Sequence, residues 1–178
     1  MSISINDYTL DIMIIETSKV SIYRCHNNKT GNKYVIKISK DSKTQNQYEL
    51  LKEIDHPNII KPIEFIHSND KYCIIFPTAL DDLYNNILKQ IDPFTEETIR
   101  KIMKEILSSV EYLHSKGIWH RNINTENILV FRNGESKDFV LSGFSTAGHF
   151  TGKITEYCGS PQYMAPEVFE RKECMYIL

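Results

Sequence analysis

Long apolar runs are missing from this chain. The longest early one, residues 12–15, is far shorter than the roughly twenty residues that a membrane-spanning helix needs. Residues 1–20 carry Asp7, Asp11 and Glu16 and no basic leader, so no targeting segment is read there, no membrane partner is expected and the expected location is cytoplasmic. An excess of one charge is also lacking: 21 Lys and Arg against 23 Asp and Glu leave a net charge of -2. That balance gives no electrostatic footprint for nucleic acid, which is excluded from the expected partners. Paired cysteines are absent too. Cys25, Cys73, Cys158 and Cys174 lie far apart without metal-ligand spacing and read as separately placed reduced thiols. What remains is an ordinary soluble composition, 41% hydrophobic and 25% charged, in 178 residues, enough for one domain with a real core or most of a two-lobed one.

The pattern begins with strands and turns to helix later. Residues 8–15, 20–26 and 33–38 are rich in Ile, Val and Tyr, and residues 27–32 with Gly31 supply a turn. A helix is expected over about 44–54, stopping before His56-Pro57, because the residue before a proline is pushed out of the helical region. Strands at 62–66 and 71–76 complete a small five-stranded antiparallel sheet. Pro93 and Thr95 then open a helix with Glu96 and Glu97 in its first turn, where the helix dipole favours acids. Ile99, Ile102, Met103, Ile106, Val110 and Leu113 repeat at helical spacing and are read together as core; Lys116-Gly117 closes the helix. The fold class is α+β.

The most telling stretch is Trp119-His120-Arg121-Asn122-Ile123-Asn124-Thr125-Glu126-Asn127-Ile128-Leu129-Val130. It resembles the catalytic loop of protein kinases, His-Arg-Asp followed at fixed spacing by Asn, in which the Asp takes the proton of the substrate hydroxyl and the Asn holds a metal ion. His120, Arg121 and Asn127 fit. Asn122 stands at the base position, and a neutral amide has no useful basicity at physiological pH. Asn124 replaces a loop lysine that some kinases direct at the transferred phosphate. The resemblance covers nearly the whole chain. It implies a two-lobed fold: residues 1–79 as the sheet lobe and hinge, residues 80–178 as an incomplete helical lobe, with the nucleotide cleft between them.

Other kinase parts are degraded along the chain. Counting back from Lys37, the glycine-rich phosphate loop falls on residues 15–22, and its three glycine positions hold Ile15, Thr17 and Val20, with Ile22 at the valine position. Side chains there block the close approach of backbone amides to phosphate that glycine permits. Lys37 resembles the strand lysine that contacts the α and β phosphates, and the Glu that should position it falls on Gln47. The Asp-Phe-Gly motif, whose Asp holds the bridging metal, falls on Gly143-Phe144-Ser145; a competing register uses Asp138-Phe139. In the first register the metal-holding carboxylate is gone, and Asn127 alone offers one neutral oxygen to a hard cation.

The resemblance further implies that Val35 and Leu129 roof and floor an adenine pocket, that Ile75 is its gatekeeper with residues 76–79 as the hinge, and that Asp82 stands where a ribose-contacting acid often lies, a position that equally suits a helix start. Residues 158–167, Cys-Gly-Ser-Pro-Gln-Tyr-Met-Ala-Pro-Glu, resemble the peptide-binding end of a Ser/Thr kinase activation segment of the calmodulin-dependent and AMP-activated branch. Thr151, Thr155 and Tyr157 sit where an activating phosphate would pair with Arg121. The helix that would supply a partner for Glu167 does not occur in this sequence, and apolar residues 175–178 would be unburied, so the expectation is either a fragment of a longer product or a truncated lobe that needs a partner. The expectation is a catalytically inactive pseudokinase of Ser/Thr type that binds other proteins, an active kinase or its substrate. ATP binding would be weak and magnesium absent. A weakly active ATP-dependent Ser/Thr kinase using Lys37, Asn127 and Asp138 is the rival, and a remnant without stable fold is a third reading.

Overall fold

The computed structural model describes residues 3–89, 94–149 and 156–171. Pro93, Thr151, Thr155, Cys174 and residues 175–178 lie outside them. The chain divides into two compact units, one of residues 1–55 and 60–78, the other of residues 56–59 and 79–178.

The first unit is an antiparallel sheet with one helix. Its strands are β1 (Ser4–Ile5), β2 (Tyr8–Glu16), β3 (Val20–Asn27), β4 (Lys33–Ser39), β5 (Glu64–Ser68) and β6 (Lys71–Pro77), in the order β1-β2-β3-β4-β6-β5. The sheet thus has six strands rather than five. The extra one arises because Asn6 takes a left-handed φ of 49°, letting Ser4 fold back onto Thr9, where the two hydroxyls meet at 3.0 Å. One face buries Tyr8, Cys25, Ile36, Ile66, Cys73 and Ile75. Burial of side chains this size is worth about 1.5–3 kcal/mol each. The Tyr8 hydroxyl leaves this cluster to donate to Glu64 Oε2 at 2.8 Å, and burial together with that carboxylate pushes its pKa up to about 12. Helix α1 (Lys43–Glu53) lies against the other face, through Tyr48 stacked on Phe65 with ring centres 5.3 Å apart. The Asp41 carboxylate accepts from the amide of Lys43 at the start of α1, and extended backbone at Ile54 ends it.

The second unit contains strands β7 (Asp81–Asp82), β8 (Ile118–Trp119), β9 (Ile128–Asn133), β10 (Ser136–Leu141) and β11 (Gly148–His149), and helices α2 (Leu83–Leu88), α3 (Glu96–Ser115) and α4 (Pro166–Phe169). The strands form two small sheets, β10-β9-β7 and β11-β8. Thr95 caps α3 by accepting from the amide of Thr98, and Gly117 at φ 67° reverses the chain after it. Residues 56–59 belong to this unit through Asn58, whose carbonyl accepts from Leu141 N at 2.8 Å and from Ser109 Oγ at 2.9 Å.

A second sequence expectation is corrected in this unit. Helix α3 buries Ile102, Ile106, Ser109 and Leu113 against β10 and β8, whereas Ile99 and Met103 are about half exposed at 48% and 51%. The apolar stripe is wider than the packed face, because the two short sheets contact only one side of the helix. Among the described residues no helix is long and apolar enough to cross a membrane.

Candidate functional site

In the first unit the functional candidates are arranged by strand register. Ile15, Ile22, Lys37, Ile74 and Phe65 are successive cross-strand partners and therefore share one face, the face on which α1 packs. Val35 and Phe76 are partners on the same face, two residues along from Lys37 and Ile74. Ile75 instead pairs with Ile36 and is fully buried on the opposite face. This corrects the assignment of Ile75 as the back wall of a pocket shared with Val35 and Lys37. Side chains alternate along a strand, so Ile74 and Phe76 hold the positions on the Lys37 side.

Lys37 Nζ donates to Gln47 Oε1 at 2.5 Å. Burial disfavours its charged form and lowers its pKa to about 8; the nearby Asp41 carboxylate opposes this only in part. Gln47, itself buried in α1, supplies a dipole where a Glu would supply a full compensating charge. The turn between β2 and β3 is built for closure. Thr17 Oγ1 accepts from the amides of Lys19 at 3.3 Å and Val20 at 3.0 Å, and Thr17 N bonds Val20 O. Those amides are consumed within the turn. Ile15 is 48% exposed and Ile22 partly buried, with Ile15 directly opposite Ile22.

In the second unit Asn122, Asn124, Asn127 and Gly143 come together. Asn122 Oδ1 accepts from Ser160 N at 2.9 Å, Ser160 Oγ at 3.1 Å and Asn124 Nδ2 at 3.1 Å. Asn124 Nδ2 also reaches Ser160 Oγ, while its Oδ1 caps the short 3-10 turn 125–127 by accepting from Asn127 N at 2.9 Å. Asn127 Nδ2 donates to the Asn122 carbonyl at 2.8 Å, and Asn127 O accepts from Ser142 N and Oγ. Gly143 has φ 80°, and a Cβ there would lie 2.2 Å from Asn127 Oδ1 and 2.3 Å from its Cγ. The Asn127 side chain thus occupies the space a residue at 143 would need. Asp138, of the competing register, is on β10 opposite Phe131; its carboxylate accepts from Asn133 Nδ2 at 2.7 Å and lies 3.4 Å from Lys101 Nζ. It is committed there, while Gly143 is the residue beside Asn127.

His120 is buried. Its Nε2 bonds Ser142 O at 2.7 Å, its Nδ1 accepts from Asn122 N at 3.3 Å, and its ring meets Phe144 edge-on at 4.6 Å. Desolvation lowers its pKa to about 4, so the ring is neutral and acts as a fixed spacer. Arg121 takes a left-handed φ of 64°, donates through Nε to Thr146 O at 2.7 Å and pairs with Glu156 at 2.7 Å. Gly159 permits the close approach that this requires, since a Cβ there would sit 2.7 Å from Arg121 O. The sequence carries no signal for the role of Glu156; Gly159 and Ser160 lie in the 158–167 stretch the resemblance marks, but their contacts with Arg121 and Asn122 are not legible there. Tyr157 is exposed, and Arg171 stacks over its ring at 5.0 Å.

Asp82 is the N-cap of α2. Its two carboxylate oxygens accept from Asn85 N at 2.8 Å and Asn85 Nδ2 at 2.6 Å. Leu129 pairs with both Asp82 and Val140. A magnesium ion does not fit this donor set: Asn122, Asn124 and Asn127 carry amides, position 143 carries no side chain, and among the described residues no group of three His, Cys, Asp or Glu converges.

Comparison with known proteins agrees with this architecture. The protein kinase domain family model matches residues 16–176. CBL-interacting protein kinase 11 of Oryza sativa is 28% identical over 96% of this chain, and CBL-interacting serine/threonine-protein kinase 12 of Arabidopsis thaliana 31% identical over 85%. Calcium-dependent protein kinase 5 of Plasmodium falciparum is 31% identical over 94%. The chain spans about a third of the length of these relatives, 36%, 33% and 32% respectively. It belongs to the protein kinase domain family, with Ser/Thr kinases among its relatives.

Proposed function

We propose that the chain is a pseudokinase, catalytically inactive and acting in the cytoplasm by binding other proteins, either an active kinase or a kinase substrate. The observation that carries this reading is the closed amide cluster of Asn122, Asn124 and Asn127 packed against side-chain-free Gly143. Phosphoryl transfer relies on a carboxylate to orient and deprotonate the hydroxyl and on carboxylates to seat magnesium. The removal of a general base alone lowers rate about 10²–10⁴-fold. Here Asn122 Oδ1 also already accepts three protein donors, so it serves to hold residue 160 against the loop. The Thr17-locked turn adds a second deficit, because its amides are turned to Thr17.

The names of the plant relatives describe kinases that interact with CBL proteins, which supports protein partners as a class. A weakly active Ser/Thr kinase is the second reading, favoured by Lys37, which is kept half-buried against Gln47 where a phosphate could displace the amide. The test is phosphotransfer from radiolabelled ATP with Mg²⁺ to a generic basic protein substrate, using the wild type and Lys37→Met. The pseudokinase reading expects equal background counts from both. Counts that are abolished by Lys37→Met would establish the second.

A further inference from the structure

The sheet of the first unit has two edges of opposite character. The β5 edge is short and polar, Glu-Phe-Ile-His-Ser, with one fully buried apolar residue. The β2 edge is different. The two-residue strand β1 covers Tyr8 and Thr9, and Ile3 O takes the Leu10 amide at 2.9 Å, so among the described residues 11–16 of β2 have a strand neighbour on the β3 side alone. That open stretch reads Asp-Ile-Met-Ile-Ile-Glu, and Ile12, Met13, Ile14 and Ile15 are 62%, 50%, 48% and 48% exposed. Soluble proteins protect edges with lysine, proline, short strands or bulges; residues 10–16 contain no lysine or proline, and bulges are the one such device they carry. Two bulges, at Asp11 and Ile14, twist the edge without covering it.

We infer that the β2 edge is a docking site for an extended segment of a partner protein, one with alternating apolar residues bracketed by basic ones. The backbone groups of residues 12–13 and 15–16, between and beyond the two bulges, offer the ladder, as in strand addition generally, and the four apolar side chains offer contact on both faces. The charges choose the partner. Asp11 and Glu16 stand at the two ends of the apolar run; Asp11 accepts from His26 at 2.8 Å and Glu16 has no ion pair among the described residues. A second copy fits poorly, because antiparallel self-pairing centred on Met13 and Ile14 sets Asp11 opposite Glu16 at both ends, and like charges directly opposite are unfavourable. No residue of this edge belongs to the amide cluster, so the inference stands whether or not the chain transfers phosphate.

The experiment is fluorescence anisotropy of the 178-residue chain with a labelled seven-residue peptide of alternating Val and Thr carrying an arginine at each end. Controls are the same peptide with glutamate ends and one N-methylated on alternate amides. Saturable binding is expected, at least tenfold weaker with glutamate ends and lost on N-methylation. Ile14→Lys should weaken it at least tenfold with an unchanged melting temperature, and Glu16→Lys should shift the preference towards the glutamate-ended peptide. Equal binding of both peptides, or a preference unmoved by Glu16→Lys, overturns the assignment. So does a dimer in sedimentation velocity that Ile14→Lys dissolves, since the occupant is then a second copy.

Discussion

Restoring the missing carboxylate by Gly143→Asp should destabilise the second unit. The residue at 143 has φ 80°, and left-handed backbone costs a non-glycine residue roughly 1–2 kcal/mol. Its Cβ would enter the space of Asn127, within 2.6 Å of Oδ1, Cγ and Nδ2 alike. Asn127 is short enough to swing aside, but the swing breaks its bond to the Asn122 carbonyl, a further loss of about 1 kcal/mol. Together these give about 2–3 kcal/mol, or a fall in Tm of roughly 5–10 °C for a chain of this size. Urea denaturation followed by circular dichroism reads this directly. A cycle of Gly143→Ala, Asn127→Ala and the double variant isolates the contact: the double variant should be about 1 kcal/mol more stable than the sum of the singles, because the loss of the Asn127 hydrogen bond is counted only once. Additive singles, or a Gly143→Asp chain as stable as wild type, would refute the packing argument.

Three further outcomes follow from the same geometry. His120 has a folded pKa of about 4, below its ordinary 6.5, so the unfolded chain takes up a proton first as pH falls. The stability it contributes is complete above about pH 6.5 and should fall by about 3 kcal/mol by pH 4, a slope that His120→Asn abolishes in urea melts at stepped pH. Lys37, lowered to about 8 from 10.5, releases its proton in the folded state first as pH rises, so wild-type stability relative to Lys37→Met should climb between pH 8 and 10.5 by up to about 1.4 kcal/mol per pH unit. Parallel pH profiles would contradict the burial of that amine. Asn122→Asp keeps an oxygen for Ser160 N, Ser160 Oγ and Asn124 Nδ2, so its stability should stay within about 0.5 kcal/mol of wild type while phosphotransfer remains at background, since the metal seat is still missing.

What the sequence made legible was local or fixed by spacing. The strands from β2 to β6 and the limits of α1 and α3 follow from β-branched runs, Thr95, Gly117 and the His56-Pro57 pair, all of which act on their own backbone. The kinase resemblance, counted back from His56-Pro57, puts Gln47 at the position that faces Lys37, and the two side chains are hydrogen-bonded. The resemblance that makes Ile75 the gatekeeper carries no strand parity, whereas its pairing with Ile36 puts it on the face away from Lys37. Ile99 and Met103 looked like core because an apolar stripe does not say how wide its partner is. The substitution at 143 was visible as a missing acid; the Asn127 side chain that occupies the resulting space was not, because a contact with an absent side chain leaves no pattern. Arg121 with Glu156, and Asn122 with Ser160, join residues more than thirty positions apart and were equally silent.

The central claim is that this kinase-family chain lacks the anionic oxygens that would seat magnesium and take a proton. The most direct test is a thermal-shift titration with ATP, with and without Mg²⁺, because a ligand that binds only the folded state raises its Tm by mass action. The account predicts little or no shift and no difference between the two series. A rise of several degrees that requires Mg²⁺ would contradict it.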